Sequence, residues 1–376
     1  MLIREWGGNR MTALYRAVYD DLRSAIERGD HPVGERLPSD AELSERHGVS
    51  AITVKKALDL LRGDGFISRR PRVGTIVISD VATVAPASHS LTHPLVGLIV
   101  TNFDDTFGTR IIGGLLDRAN ASANLLVKRS LGDASAEDRL IRSLVDGGVR
   151  ALILQPSSSV YIPPAVLELV TKDFPVVILD RVFDGVPVAT VCSDNVVAGQ
   201  QATEHLFSLG HEAVGLVSSD STVSTLRDRR DGYVKAHAMH HIPHDDALVF
   251  DLVHSTTPGS TASPDEDIDL LEAYLRARPG MTAVVATEYN IATMLRAAAL
   301  RLGRDIPGDL SIICFDHPDA FYDRTHYRFT HIRQDQEGMG EAAVELALDL
   351  IRQPRAVRKV ALPTTLVIGE STAAKG

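Results

Sequence analysis

Residues 14–77 run LYRAVYDDLRSAIERGDHPVGERLPSDAELSERHGVSAITVKKALDLLRGDGFISRRPRVGTIV. Leu14, Val18, Leu22 and Ile26 recur every fourth residue, the spacing of a helix that buries one face, and Gly29 stops it. His31-Pro32-Val33-Gly34 turns the chain. Ser39 to Glu42 is an S-x-x-E capping box that opens a second, short helix ending at Gly48. Ser50 caps a third, in which Val54, Ala57, Leu58 and Leu61 form the buried stripe before Gly63 and Gly65 end it. Two short helices separated by Gly48-Val49-Ser50 make a helix-turn-helix. The stripe leaves Ile52, Lys55, Lys56 and Asp59 opposite, with Thr53 near the N-terminus, as the face offered to a major groove. Phe66-Ile67-Ser68 and Gly74-Thr75-Ile76-Val77 read as two strands around Arg69-Arg70-Pro71-Arg72, a basic-tipped wing.

Charge supports that reading only locally. The 376 residues hold 39 Lys and Arg against 49 Asp and Glu, a net −10. Yet residues 55–78 hold six bases (Lys55, Lys56, Arg62, Arg69, Arg70, Arg72) and two acids, Asp59 and Asp64. A basic stripe on an acidic molecule is what phosphate binding leaves in a sequence; on charge alone, a solvated surface reads equally well. The length implies two domains, and 44% hydrophobic with 23% charged residues is ordinary globular composition. No apolar run approaches the ~20 residues a membrane crossing needs, and Met1 to Arg10 has no apolar leader core. Cys192 and Cys314 lie far apart in apolar, strand-like contexts, which points to a reduced compartment with neither disulfide nor zinc. The expectation is a cytoplasmic protein with no membrane partner.

The motifs GERLPS, GVS..TV..AL and RR...GT.V within Leu14 to Val77 resemble the winged helix of the GntR family of bacterial regulators. The resemblance implies operator DNA as partner, with Arg36, Ser50, Thr53, Lys55, Arg70 and Gly74 meeting phosphates or bases; Lys56 and Arg72 join them from the basic stripe. Ala41 and Ala51 stand where relatives often have arginine, and Arg72 replaces a usual wing glycine.

Residues 1–78 are therefore expected to form the DNA-binding domain, and 79–94, small, polar and proline-punctuated, a linker. From 95 to 376 short β-rich runs alternate with helix-length segments. Strand candidates are Val96–Val100, Leu125–Lys128, Ala151–Leu154, Val176–Leu179, Ala189–Cys192, Ala213–Val217, Ala283–Ala286 and Ile312–Phe315; the helical segments include 108–120, 135–147, 195–209, 227–240, 289–302 and 336–352. This alternation predicts an α/β fold with doubly wound parallel sheets in two lobes and a ligand cleft outside the carboxyl ends of the strands. The runs FPVVILDR (174–181), SDNVVAGQQATEHLFSLGH (193–211), RDRRDGY (227–233), RLGRDIPGDLSIICFDHPD (301–319) and FTHIRQDQEGMGEAA (329–343) resemble the LacI/GalR regulators, whose sensing domain is similar to periplasmic sugar-binding proteins. A GntR head on a LacI-like body is the layout of the AraR type of arabinose-responsive regulator.

Hydroxyl-rich ligands are held by planar side chains with several hydrogen-bonding atoms and by an aromatic face. Asp316, Arg181 and Gln334 follow predicted strands, and Phe107 lies in the loop after the first. The resemblance adds Arg229, three residues before Gly232, and Glu288 or Asn290 where relatives carry an Asn-Asp pair and this chain has Thr287-Glu288. His237, His240, His241 and His244 have a spacing that could gather metal, but Pro243 would end their helix; the expectation is no metal and no cofactor. Asp265-Glu266-Asp267 reads as charge at a helix start, and Asp104-Asp105 as adjacent carboxylates pointing apart. No nucleophile elbow, phosphate loop or dinucleotide fingerprint occurs. The function expected is a dimeric, non-enzymatic repressor released from its operator by a sugar or sugar derivative. A regulator using a corepressor such as a nucleobase, and a head fused to a pyridoxal-phosphate-binding, aminotransferase-like body, are the alternatives.

Overall fold

The computed structural model describes residues 7–70, 74–80, 93–103, 106–318, 327–355 and 357–376, with backbone alone for 7–13 and 70. The wing-tip residue Arg72, most of the expected linker and Asp104-Asp105 lie outside the described residues. The chain divides into two compact units, Met1–Thr92 and His93–Gly376, taken here as head and body.

The head contains α1 (Gly7–Glu27), α2 (Asp40–His47), α3 (Ala51–Gly63), β1 (Ile67–Arg70) and β2 (Gly74–Val77). The capping box forms: Ser39 Oγ accepts from the Glu42 amide at 3.3 Å, and Glu42 Oε2 accepts from the Ser39 amide at 2.7 Å. Gly48 closes α2 in the left-handed conformation at φ 59°, where a Cβ would be strained. Val54, Ala57, Leu58 and Leu61 of α3 pack with Val18, Leu22 and Ile26 of α1, Leu43 of α2 and Phe66 into one core. β1 and β2 pair antiparallel from Ile67↔Val77 to Arg70↔Gly74.

The body holds two six-stranded sheets. The N-terminal lobe contributes β3 (Leu95–Val100), α4 (Thr109–Ala119), β4 (Asn124–Arg129), α5 (Ala134–Asp146), β5 (Ala151–Leu154), α6 (Pro164–Thr171), β6 (Val176–Leu179) and β7 (Ala189–Ser193). The chain then crosses to the C-terminal lobe for α7 (Asn195–Ser208), β8 (Val214–Ser219), α8 (Ser224–Met239), β9 (Val249–Val253), α9 (Pro264–Arg276), β10 (Ala283–Ala286), α10 (Tyr289–Arg301), β11 (Ser311–Phe315) and β12 (Thr330–Gln334). It returns for α11 (Gln336–Arg352) and β13 (Lys359–Leu362), and crosses once more into β14 (Thr364–Val367). The sheet orders are β13-β7-β6-β5-β3-β4 and β14-β12-β11-β10-β8-β9. Every pair is parallel except β12 with β14. Strands β5, β6, β10 and β11 are buried along their whole length, as apolar runs covered by helices on both faces must be.

In both sheets the order reverses beside the lobe's first strand, β3 or β8, so the loops after these two strands open at the topological switch points. Each lobe also contains a helix pair that meets on glycines. A Cβ on Gly199 (α7) would strike the Arg229 carbonyl and one on Gly232 (α8) the Val196 carbonyl; a Cβ on Gly114 (α4) would strike the Glu337 carbonyl and one on Gly340 (α11) that of Ile111. These contacts fix α8, and with it Arg229, at backbone distance from α7.

One local reading changes. α8 ends at Met239, before Pro243: His241 adopts φ 55° and the Ile242 amide donates back to the His237 carbonyl, so His240 and His241 leave the helix. Among the described residues no group of three His, Cys, Asp or Glu is placed to hold a metal. The triplet Asp265-Glu266-Asp267 lies in the first turn of α9, as expected of charge at a helix start, and Glu266 completes a capping box with Ser263; Asp267 is also buried and accepts the amides of His254 (3.1 Å) and Ser255 (2.7 Å), which anchors a loop.

Candidate functional site

The head presents an open face with two lysines along α3. Ser50 Oγ caps the helix and lies 2.9 Å from Thr53 Oγ1. Thr53 is only 4% exposed, so its hydroxyl serves this cap and it does not share the open face expected of it. Lys55 and Lys56 are exposed on that face, and the Lys56 ammonium sits 5.6 Å from the Tyr15 ring centroid. Arg36, also exposed, pairs with Ile76 of β2 through its backbone, and its guanidinium crosses over Gly74. Gly74 has φ 99°, and a side chain there would collide with that guanidinium. Arg69 is spent within the head on Asp40, 2.6 Å from its Oδ1. Arg70 lies in β1, and Arg72 is outside the described residues.

In the body the carboxyl ends of both sheets enclose a cavity of about 180 Å3. Phe107, Arg181, Arg229, Glu288, Asn290, Asp316 and Gln334, named from the sequence, all line it. Arg229, 6% exposed, donates from Nε to Asn195 Oδ1 at 2.9 Å and from an Nη to the Thr287 carbonyl at 2.6 Å. Its guanidinium lies 4.0 Å from the Phe315 ring centroid. Asp316 accepts from Gln334 Nε2 (2.6 Å) and Gln336 Nε2 (3.2 Å). Gln336 also accepts from the Gly108 amide and donates to the Thr106 carbonyl, which ties the loop after β3 to Asp316.

Burial raises the Asp316 and Glu288 carboxyls above their ordinary range, against the pull of Arg229. The same burial lowers Arg229, opposed by Asp316, Asp180 and Glu288. Glu288 Oε1 also receives Ser219 Oγ at 3.4 Å.

Among the lining groups, Asp180 Oδ1, Arg181 Nε and Gln334 Oε1 are buried polar atoms that hydrogen-bond to no described residue, Arg181 Nε lying 3.6 Å from Asp180 Oδ2 as an ion pair. Asp180 and Gln334 are each 3% exposed, so these are desolvated donors and acceptors facing a cavity, the arrangement that a hydrogen-bonding ligand satisfies. Beside the cavity the lobes touch directly. The Ser224 amide donates to Ser159 Oγ (2.8 Å), and the Val182 amide donates to Ser224 Oγ (2.9 Å).

Sequence reasoning passed over several lining residues. Gln155 directly follows β5, where the post-strand rule that found Asp316 applies equally; its Nε2 donates to Asp180 Oδ2 at 3.2 Å and its Oε1 accepts from Thr101. Asp180 sits one residue before Arg181 at φ 65°, and Asp316 has φ 59°; both are strained non-glycine turns at strand ends. Asn102, Thr225 and Tyr289 also line the wall, with no local motif to mark them.

Residues 14–77 match the bacterial regulatory proteins of the gntR family, and residues 203–372 the periplasmic binding protein-like domain. Over 260 residues, 68% of this chain and 71% of the relative, the sequence is 30% identical to the HTH-type transcriptional regulator GalR of Salmonella typhimurium. The chain belongs to the GalR family of transcriptional regulators. This regulator bears a gntR-type head, as its N-terminal match shows. It is 25% identical over 351 residues, 92% of its own length and 93% of the other's, to the arabinose metabolism transcriptional repressor of Geobacillus stearothermophilus. Its fold is shared with a LacI family transcriptional regulator from Enterococcus faecium solved with bound ribose: TM-score 0.62 at 23% identity, covering 75% of this chain and 100% of that one. It is a DNA-binding regulator of transcription rather than an enzyme. Among the described residues no helix is long and apolar enough to cross a membrane.

Proposed function

We propose that this regulator is a repressor that holds operator DNA through its head and releases it when a sugar or sugar derivative fills the body's cleft. The observation that carries the proposal is the set of desolvated polar atoms on Asp180, Arg181 and Gln334 that hydrogen-bond to no described residue, beside aromatic Phe107. A polyol offers matching hydroxyls to all three and an apolar ring face to the phenyl group. The relatives named above, an arabinose repressor and a ribose-bound regulator, support the same class.

In this reading Phe107, Arg181, Arg229, Glu288, Asn290, Asp316 and Gln334 hold the effector. Arg36, Ser50, Lys55, Lys56, Arg70, Arg72 and Gly74 hold DNA, while Thr53, buried in the cap of α3, positions that helix. The protein works in the cytoplasm as a homodimer through its bodies, so that two heads address a near-palindromic site.

The test is a thermal-shift screen of the full chain against L-arabinose, D-galactose, D-ribose, cellobiose, sugar phosphates, adenine and guanine. A ligand at about 100 times its Kd adds about 2.7 kcal/mol to the folded state. A sugar hit that also frees the protein from DNA selected out of a random duplex pool is the expected result. A shift by nucleobases alone overturns the sugar assignment, and a sugar that tightens DNA binding overturns release.

A further inference from the structure

Ile52 is 68% exposed at the start of α3. At about 100° per residue, the nine steps from Ile52 to buried Leu61 make two and a half turns, so Ile52 stands directly opposite the buried stripe. Its exposed neighbours are Ala51, Lys55 and Lys56, while Asp59 is drawn to Arg62 at 3.2 Å. The lysines suit phosphates. The first turn, the part of a recognition helix that meets base edges, presents Ala51 and Ile52, and neither side chain can donate or accept a hydrogen bond. The edges of the bases in the major groove carry nitrogen and oxygen atoms and one apolar group, the C5 methyl of thymine.

We propose that Ile52 is a specificity-determining residue that reads a thymine through that methyl group. Every other base edge would leave the exposed butyl side chain against polar atoms. The assignment rests on the family's DNA binding and is independent of what fills the cleft.

The experiment uses the full chain and duplexes it selects from a randomised pool. A thymine should be fixed at one position of the enriched sequence. Replacing that thymine with deoxyuridine, which lacks only the methyl, should weaken wild-type binding about fourfold, the effect of one buried methyl. 5-Methylcytosine in place of cytosine at the same position should restore a similar factor. Ile52→Ala should bind the thymine and deoxyuridine duplexes alike, and Ile52→Val should keep the discrimination. The proposal fails if the wild type treats thymine and deoxyuridine equally at every enriched position. It also fails if Ile52→Ala discriminates as strongly as the wild type.

Discussion

Arg229→Met removes the guanidinium at the centre of the cleft while refilling its stem and keeping a contact with Phe315. The Thr287 carbonyl and Asn195 Oδ1, bonded at 2.6 and 2.9 Å, then lose their donor inside the protein. Each such loss costs about 1–3 kcal/mol. Asp316, Asp180 and Glu288 also lose their buried countercharge, and breaking a buried charge pair from one side costs about 3–5 kcal/mol in all. These costs overlap, so the body should be destabilised by roughly 3–5 kcal/mol, a fall in Tm on the order of 10 °C.

The pH dependence has a definite sign. The Asp316 and Glu288 carboxyls already titrate above their unfolded range, so their ionised forms oppose folding, and that opposition fades as pH falls through the raised values. Without Arg229 both rise further, so the deficit should be larger at pH 8 than at pH 5. Calorimetry of the full chain at both values measures this, and fluorescence anisotropy below the melting range should show DNA still bound but no longer released by effector. A Tm within about 2 °C of wild type at both pH values would refute the account of Arg229. An equal deficit at both would refute the part played by the carboxylates.

Gly232→Ala sets a methyl against the Val196 carbonyl across the α7–α8 crossing. It should cost about 1–3 kcal/mol by overpacking and weaken effector binding by displacing Arg229; unchanged stability and affinity would contradict the crossing. Lys55→Ala should weaken DNA binding by about 1–3 kcal/mol with head stability intact, and an unchanged affinity in gel shift would remove Lys55 from the interface. Burial, against the pull of the Phe329 carbonyl and aided by nearby His317, Arg328 and Arg333, pushes His331 down to about 4. The unfolded chain takes up this proton near 6.5, so about 3 kcal/mol should be lost progressively as pH falls from 6.5 to 4, and His331→Phe should flatten that slope in urea titrations. An identical slope in the variant would disprove the assignment.

The parts of the fold that could be read from sequence are those whose local pattern and tertiary environment agree. β5, β6 and β10 occupy the bounds expected of them because central parallel strands are continuous apolar runs. β9, β13 and β14 escaped notice; each lies at a sheet edge and is partly exposed, so VFDLV, KVAL and TTLV carry no such run. In the cleft, the position after a strand end located Asp316, Arg181 and Gln334. Asn195 could not be found that way, because its service to Arg229 spans 34 residues and two helices. Thr53 was misplaced for a related reason: helical period alone does not say that a cap will draw a hydroxyl inward.

The glycine crossings of α7 with α8 and of α4 with α11 have a mechanical consequence. Both are backbone against backbone, with no side chain between them to change rotamer and absorb a displacement. α7 and α11 are the helices entered directly after two of the three strands of chain that join the lobes, and α8 and α4 follow the loops that wall the cleft. Each crossing therefore braces its lobe like a pinned joint, and on the proposed function a ligand in the cleft would act on two stiff bodies with little lost to internal give.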